Sequence, residues 1–255
     1  MNITATIQAR MGSSRLPGKV LADVCGKPML LWQVERIRRS RLVDRIVIGT
    51  STSILDDQIA DFCSKHEIEC YRGSENDVLK RISSLLLDLS VDLHVECYGD
   101  SPLIDPQIID EFIGYYLKYS HIADYFSSAL QTTYPPGLEV TVYPARILIA
   151  VNQLIPPEDP MREHVGYNIT RFPELYKQLP LLAPSWFANP EIYLEVDTPE
   201  DLALLRNIVR HFSELGQSHF SLGEILSMLR QFPHLVKGNL EVERRWKKLR
   251  EQNNV

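Results

Sequence analysis

The chain begins with a short segment typical of a β-strand, which runs directly into a loop rich in glycine, serine and positive charge. Residues 2–7 have the sequence NITATI, and residues 8–19 have the sequence QARMGSSRLPGK. Glycine lets backbone N–H groups approach an anion closely and serine adds hydroxyl donors, while Arg10, Arg15 and Lys19 supply positive charge. This is the chemistry that holds a triphosphate. The pattern predicts a phosphate-binding loop at the end of the first strand.

The loop differs from two common phosphate-binding patterns. It lacks the Gly-Lys-Ser/Thr ending of the P-loop, and it contains no Gly-x-Gly-x-x-Gly. A plain turn is the alternative interpretation, because small residues and a Pro-Gly pair also end strands in proteins that bind nothing. The chain has a net charge of −6. A cluster of three cations in such an acidic chain favours a bound anion.

The composition is that of an ordinary globular protein, with 255 residues, 44% hydrophobic residues and 24% charged residues. The four cysteines form no Cys-x-x-Cys pair, so a zinc site or disulfide framework is not indicated. The acidic balance argues against nucleic-acid binding. The apolar runs are too short to span a membrane and the N-terminus lacks the pattern of a secretory signal, so we expect a cytoplasmic protein.

Strand-like and helix-like segments alternate along the first hundred residues, which predicts βαβ units and a mainly parallel sheet. After the first strand, the predicted strands cover residues 45–50, 68–71 and 93–97, and the predicted helices cover residues 29–39, 56–65 and 76–87. A further strand at 192–196 precedes two late helices, at about 202–214 and 222–231. In such sheets, ligands bind beyond the carboxyl ends of the strands.

The pattern changes near residue 127, where proline becomes frequent and residues 138–143 alternate as in an antiparallel strand. We therefore expect one main domain over 1–215 that includes a small, partly antiparallel subdomain at about 127–190. That subdomain would cover the site or form a dimer contact. Residues 216–255 would form a helical extension, in which the basic segment 244–248 is more typical of a solvated helix face than of a binding patch.

Two aspartates, Asp100 and Asp197, directly follow predicted strands and should lie at the ligand edge of the sheet. Mg²⁺ prefers oxygen ligands and often uses one or two carboxylates together with substrate phosphates. The alternative is that each aspartate only caps the following helix, since Pro102 and Pro199 lie close behind. Together with the cationic loop, the pair favours a magnesium–nucleotide site.

The sequence of the loop resembles the signature of the cytidylyltransferases of the spore coat polysaccharide biosynthesis family, relatives of the 3-deoxy-manno-octulosonate and acylneuraminate cytidylyltransferases. Residues 72–81, 98–105, 161–167 and 194–202 resemble further blocks of that family, and the likeness spans residues 2–202. Two positions depart from the family pattern. Glu96 stands where relatives commonly have arginine, and Tyr98 where they have threonine or glutamine.

The resemblance implies a Rossmann-like nucleotide-diphospho-sugar transferase fold, with Asp100 and Asp197 as Mg²⁺ ligands. Arg10, Arg15 and Lys19 would neutralise the triphosphate and the leaving pyrophosphate. The residues expected to contact the nucleotide are Gln8, Ala9, Gly12, Ser13, Ser74, Arg81 and Tyr98. The acceptor candidates are Tyr134, Glu139, Arg162 and His164. Two alternatives remain open: Ser74 could only cap a helix, and Arg162 could form an ion pair with Glu163 or another acid.

The function that these patterns favour is a homodimeric cytidylyltransferase that couples CTP to an acidic sugar, releases pyrophosphate and supplies surface polysaccharide synthesis. One alternative is a nucleotidyltransferase that acts on a phosphonate or sugar-phosphate acceptor. Another is a catalytically silent nucleotide-binding protein on the same fold. The acceptor and the strictness of CTP preference cannot be read from the sequence.

Overall fold

Seven strands form the central sheet of the computed structural model, which describes residues 1–242. The basic segment 244–248 lies outside the described residues. In chain order the strands are β1 (Ile3–Gln8), the hairpin strands β2 (Asp23–Val24) and β3 (Lys27–Pro28), β4 (Arg45–Ser51), β5 (Glu69–Gly73), β6 (Leu93–Tyr98), β7 (Tyr125–Ser127), β8 (Thr141–Pro144) and β9 (Gln178–Pro180). Across the main sheet their order is β5-β4-β1-β6-β8-β7-β9.

The sheet is mixed and mainly parallel, as predicted. Strand β1 pairs in parallel with β4 and β6, and β5 pairs in parallel with β4. Strand β8 is antiparallel to both β6 and β7, whereas β9 is parallel to β7. The strands of the 127–190 region therefore extend the main sheet and do not form a second one.

Helices cover both faces of the sheet. They are α1 (Met29–Ile37), α2 (Asp57–Lys65), α3 (Val78–Asp88), α4 (Pro106–Tyr119), α5 (Ala145–Leu154), α6 (Tyr167–Thr170), α7 (Pro199–Glu214), α8 (Leu222–Gln231) and α9 (Lys237–Leu240). Helices α3, α5 and α6 pack on one face, and α1, α2, α4, α7 and α8 contribute to the core on the other. None of the helices within residues 1–242 has the length and apolar character needed to cross a membrane.

Strand β1 shows why the sheet has two cores. Its side chains alternate between faces, so Ala5 and Ile7 join the larger core while Thr6 faces the α3 and α5 side. There the Thr6 hydroxyl lies 2.7 Å from Nε2 of the buried His94. Burial lowers the pKa of His94 to about 3, so this imidazole is neutral in the folded protein at neutral pH.

The carboxyl ends of β1, β4, β5 and β6 meet at one edge of the sheet, because these strands are mutually parallel. Gly99 makes the close approach of β1 and β6 possible at this edge. Its N–H donates to the carbonyl of Gln8 at 2.9 Å, and a Cβ added at Gly99 would lie 2.7 Å from the same oxygen. The loop that begins at Ala9 and the turn that carries Asp100 are thereby held together.

The predicted strand at residues 192–196 is wrong, because this segment pairs with no strand of the sheet. Its backbone N–H groups donate to loop carbonyls instead. Leu194 and Glu195 donate to Pro136, and the N–H of Val196 donates to the carbonyl of Asp100 at 2.8 Å. The segment still ends at the ligand edge, because these bonds dock it on the turn that follows β6.

Candidate active site

The loop after β1 is anchored by a buried aspartate that follows β4. The N–H of Met11 donates to Asp56 Oδ1 at 2.7 Å, and the hydroxyl of Ser51 donates to Asp56 Oδ2 at 2.5 Å. The carbonyl of Met11 accepts from the N–H groups of Ser13 and Gly18, which closes the loop on itself. Gly18 has a φ of +70°, a left-handed conformation that favours glycine.

Two of the three loop cations converge on the predicted metal ligands. Lys19 Nζ lies 2.8 Å from Asp197 Oδ1 and 3.5 Å from Asp100 Oδ2, and it also donates to the carbonyl of Val196 at 2.8 Å. Arg15 Nη2 lies 2.5 Å from Asp197 Oδ2. The structure thus brings together four predicted site residues from three separate parts of the chain.

The charged groups of this cluster shift one another's pKa values. Burial alone lowers the pKa of Lys19, but the nearby Asp100 and Asp197 carboxylates outweigh it and the net pKa is raised. Burial raises the pKa of Asp100 and Asp197 adds to this effect, while Lys19 opposes it. The Asp100 side chain keeps 34% of its surface exposed, so solvent screens part of these interactions.

The arrangement of Asp100 and Asp197 fits a Mg²⁺ ion bound together with phosphates. Both carboxylates contact the same ammonium, so they lie on one side of the sheet edge and within reach of one small cation. Residues 1–242 contain no group of three or more metal-ligating side chains. Since Mg²⁺ commonly takes one or two carboxylates and completes its shell with water and substrate phosphates, two aspartates are a suitable protein contribution.

Arg10, the third loop cation, points to a different part of the chain. Its Nη2 lies 2.5 Å from Glu163 Oε1, and both side chains are about half exposed. Glu163 belongs to a short 3₁₀ helix, Pro160–Glu163, that precedes α6. The positive charge of Arg10 also contributes to lowering the pKa of Arg81, after the larger effect of burial. Arg10 therefore connects the loop after β1 to the 127–190 region.

Arg81 is buried beneath the loop that follows β5. Its Nη1 donates to the carbonyl of Ser74 at 2.6 Å, while its Nε finds no hydrogen-bond partner among the described residues. Ser74 does not cap the following helix. Asp77 does, by accepting from the N–H of Lys80 at 2.9 Å. The capping alternative for Ser74 therefore does not hold, and its contact with a nucleotide stays a prediction.

Gln8 and Tyr98, two predicted nucleotide-binding residues, share one buried partner. Both donate to Glu96 Oε1, Tyr98 Oη at 2.7 Å and Gln8 Nε2 at 3.2 Å. The same carboxyl group accepts from the Tyr143 hydroxyl at 2.8 Å and from the N–H of Gly166 at 3.1 Å. Burial raises the pKa of Glu96, although these hydrogen bonds oppose the change. Glu96, a departure from the family pattern, thus links β1 and β6 to β8 and to Gly166 in the 127–190 region.

Two acceptor candidates support the fold around the site. Tyr134 is buried, and its ring packs edge-on against Phe112. Burial raises the pKa of Tyr134 to about 12. Glu139 Oε2 accepts from the N–H of Gly137 at 2.6 Å and so stabilises the turn on which residues 194 and 195 dock. Tyr134 thus presents almost no surface to an acceptor in this conformation.

The other two acceptor candidates differ in exposure. Arg162 is buried and pairs with Asp77 at 2.8 Å, while its Nη1 donates to the carbonyl of Ile155 at 2.8 Å. Arg162 therefore forms an intrachain ion pair, the alternative that the sequence left open, and its partner is Asp77 and not Glu163. His164 is exposed. Of this pair, His164 is the side chain accessible to a ligand.

A family model described as Cytidylyltransferase matches residues 4–230. The chain belongs to the cytidylyltransferase family. The spore coat polysaccharide biosynthesis protein SpsF of Bacillus subtilis (strain 168) is 32% identical over 236 residues, which cover 91% of this chain and 95% of SpsF.

Solved structures agree with this assignment. A cytidylyltransferase from Leptospira borgpetersenii serovar Hardjo-bovis (strain JB197) has a TM-score of 0.85 at 26% identity, over 93% of this chain and 97% of its own. A CMP:2-keto-3-deoxy-manno-octonic acid synthetase complexed with CTP shares the fold, with a TM-score of 0.60 at 18% identity, over 83% of this chain and 99% of its own. The resemblance seen in the sequence and the nucleotidyltransferase fold are therefore confirmed.

Several residues that organise the site of this cytidylyltransferase were not found from its sequence. Asp56 anchors the loop, Asp77 pairs with Arg162, and Asp201 accepts from the N–H groups of Asp197 and Thr198 at 2.9 Å each. Asp201 had a usable signal, because Thr198 and Asp201 have the spacing of a capping box. Asp56 and Asp77 contact the site through Met11 and Arg162, which lie 45 and 85 residues away, and no local sequence pattern indicates contacts at that separation.

Proposed function

We propose that this cytidylyltransferase uses CTP and Mg²⁺ to convert an acidic sugar, or a related acidic acceptor, into its CMP conjugate with release of pyrophosphate. The product would supply surface polysaccharide synthesis, the kind of process named for SpsF. The observation that carries the proposal is the meeting of Lys19, Asp100 and Asp197 at the carboxyl edge of the sheet.

The chemistry needs positioning and charge neutralisation more than a covalent intermediate. An acceptor oxygen attacks the α-phosphorus of CTP, and pyrophosphate leaves with the bonding electrons. Lys19, Arg15 and Arg10 would neutralise the triphosphate and the leaving group, aided by the backbone of Ala9, Gly12 and Ser13. Asp100 and Asp197 would hold Mg²⁺, which neutralises phosphate charge when it is bound.

The nucleotide and acceptor would lie on different sides of this centre. Gln8, Ser74, Arg81 and Tyr98 would bind the base and ribose, with CTP preferred over UTP, ATP and GTP. On the acceptor side, the exposed His164 would make direct contact. Arg162, Glu139 and Tyr134, which are buried or already hydrogen-bonded, would shape that side indirectly.

The test is a pyrophosphate-release assay with each nucleotide and a panel of acidic sugars, phosphonates and sugar phosphates. We expect turnover with CTP, an acidic sugar and Mg²⁺, and a large loss in Asp197→Asn. Asp61→Asn is the matched control, because Asp61 is exposed on α2. Equal use of UTP would contradict the CTP preference, and CTP binding without turnover on any acceptor would favour a silent protein.

A homodimer and a cytoplasmic location belong to the same proposal. The 127–190 region exposes the apolar side chains of Leu175, Leu182 and Trp186, the last with 68% of its surface accessible. A dimer contact that covers these side chains would remove their apolar surface from water. A monomeric mass in light scattering at micromolar concentration would contradict the dimer.

A further inference from the structure

The C-terminal extension is tied to both turns that carry the proposed metal ligands. The N–H of Leu222 donates to Asp105 Oδ2 at 2.7 Å, and Asp105 lies in the loop that begins at Asp100. Asn239 Nδ2 donates to Asp201 Oδ1 at 2.6 Å, and Asp201 lies one helical turn after Asp197. The extension thus contacts the segment after Asp100 and the first turn of α7, which are nearly a hundred residues apart in the sequence.

The contact of Asn239 with Asp201 is buried on both sides. Asn239 has 1% of its surface exposed and Asp201 has 2%. The other carboxylate oxygen of Asp201 accepts from the backbone N–H groups of Asp197 and Thr198, both at 2.9 Å. One carboxylate therefore connects the side chain of Asn239 with the backbone of the residue proposed to bind the metal.

We infer that Asn239 is a positioning residue for the metal-binding turn, because it orients Asp201, which fixes the backbone of Asp197. This inference rests on the proposed function, since it takes Asp197 as a Mg²⁺ ligand. It assigns a role to the C-terminal extension.

The turn that carries Asp197 needs a fixed backbone because cations attract its carboxylate. Arg15 and Lys19 both contact the side chain of Asp197, one at each carboxylate oxygen. Exchange of these cations for a metal ion and phosphates would change the forces on that side chain. A backbone fixed by Asp201 and Asn239 keeps the carboxylate in place during the exchange. Groups that orient metal ligands in this way typically contribute about ten- to a hundredfold to metal affinity or activity.

The first experiment measures binding of Mn²⁺ to the enzyme by electron paramagnetic resonance, without turnover. We expect Asn239→Ala to weaken Mn²⁺ binding about tenfold or more, and to raise the Mg²⁺ concentration for half-maximal activity more than it lowers kcat at saturating Mg²⁺. Lys237→Ala is the matched control, because Lys237 is an exposed residue of the same helix, α9. Equal Mn²⁺ affinity in the parent and Asn239→Ala would overturn the inference.

A second pair of measurements covers the case in which Asn239→Ala loses its fold, judged by circular dichroism. Asp201→Asn has nearly the same shape and tests the contact from its other side, with the same expected loss of Mn²⁺ affinity. Amide hydrogen exchange at Asp197 and Thr198 should be faster in either variant than in Lys237→Ala. Unchanged exchange and unchanged Mn²⁺ affinity in Asp201→Asn would also overturn the inference.

The two proposals fail in different ways. If the parent enzyme releases no pyrophosphate from CTP with any acceptor, the proposed function fails, whatever the exchange rates show. If the parent turns over CTP and binds Mn²⁺ while the Asn239 and Asp201 variants match it, only the positioning role fails. If Asn239 and Asp201 act through the same contact, the loss of Mn²⁺ affinity in the double variant will be clearly smaller than the sum of the losses in the two single variants.

Discussion

The carboxylates of Asp100 and Asp197 contact cations, whereas the carboxyl group of Glu96, on strand β6, accepts hydrogen bonds from neutral donors. Lys19 and Arg15 provide the cations of the first cluster. Two tyrosine hydroxyls, an amide side chain and a backbone N–H provide the donors of the second. The two clusters thus hold their carboxyl groups at one end of the sheet by different means.

This difference separates a site that can exchange partners from one that cannot. Under the proposed function, a metal ion would replace the ammonium of Lys19 between the carboxylates in the first cluster, and phosphates would bind the released cation. The side chains of Lys19 and Asp197 remain partly exposed, so a ligand can reach them. Glu96 is fully buried, and its partners join β1, β6, β8 and the 127–190 region. Under the proposed function, the first cluster serves the chemistry, whereas the second maintains the shape around it.

The largest expected effect comes from removing the cation that both proposed metal ligands share. Lys19→Ala should lower turnover of CTP on the order of a hundredfold, as the loss of one strong electrostatic contact in a transition state typically does. Pyrophosphate release under saturating CTP measures it. Lys27→Ala is the control, since Lys27 forms an exposed pair with Glu35. Parent-like turnover in Lys19→Ala would remove the catalytic role of this lysine.

The second prediction concerns the buried cluster and affects stability more than chemistry. Glu96→Leu leaves the hydroxyl of Tyr143 and the N–H of Gly166 without their acceptor in a buried setting, which should cost about 2 kcal/mol. We expect a melting temperature lower by roughly 4–8 °C. Glu96→Gln, which keeps one acceptor oxygen, should fall between the parent and Glu96→Leu. If Glu96→Gln lowers turnover while its melting temperature stays near that of the parent, the division between a chemical and a structural cluster is wrong.

The sequence predicted the regular, local parts of the molecule best. Alternation of strands and helices identified the parallel half of the sheet, and α8 was predicted with the bounds that the structure shows. The cationic loop and Asp100 pointed to one edge of the sheet, because parallel strands bring their carboxyl ends together, whereas Asp197 reaches that edge through the hydrogen bonds of residues 194–196 to loop carbonyls. Local chemistry therefore predicted which edge of the sheet carries the cationic loop and Asp100.

Predictions that depended on distant partners did less well. Residues 192–196 look like a strand in sequence, but the carbonyls of Pro136 and Asp100 take their N–H groups. Helix α5 was not predicted, because the prolines of residues 127–190 were interpreted as a sign of a small, partly antiparallel subdomain. Arg162 suggested anion binding, but its carboxylate partner is Asp77, 85 residues earlier in the chain. Partners at such separation are decided by the tertiary fold, which a single sequence does not display.

The third prediction uses acid to test the face of the sheet on which Glu96 lies. His94 has a pKa of about 3 in the fold, against about 6.5 in an unfolded chain. As pH falls below 6.5, the unfolded chain binds a proton that the buried imidazole does not, so stability falls. Between pH 7 and 5.5 the loss should be about 1 kcal/mol. Denaturant unfolding at a series of pH values measures it.

The control for this prediction removes the imidazole and its partner together. Thr6→Val with His94→Phe keeps the shape of both side chains and should abolish this part of the pH dependence. The raised pKa of Glu96 acts in the opposite direction, because a carboxyl group that protonates more readily in the fold gains stability as pH falls. The difference between the parent and the double variant isolates the contribution of His94. Identical pH profiles would show that His94 is not buried as a neutral ring.

The smallest effect is expected at the ion pair of Arg10 and Glu163, which shows how far exposure alone weakens a charged contact. Both side chains are about half exposed, so water and salt screen their attraction. A double-mutant cycle with Arg10→Gln and Glu163→Gln should give a coupling of about 0.5 kcal/mol, which decreases further at high salt. In the CTP assay the two single variants should differ. Arg10→Gln would lose a cation proposed to neutralise the triphosphate, whereas Glu163→Gln only releases that cation and should leave the KM for CTP unchanged or lower. A coupling of several kcal/mol, or a higher KM in Glu163→Gln, would place this pair with the fixed cluster of Glu96 and not with the exchangeable cations of the loop.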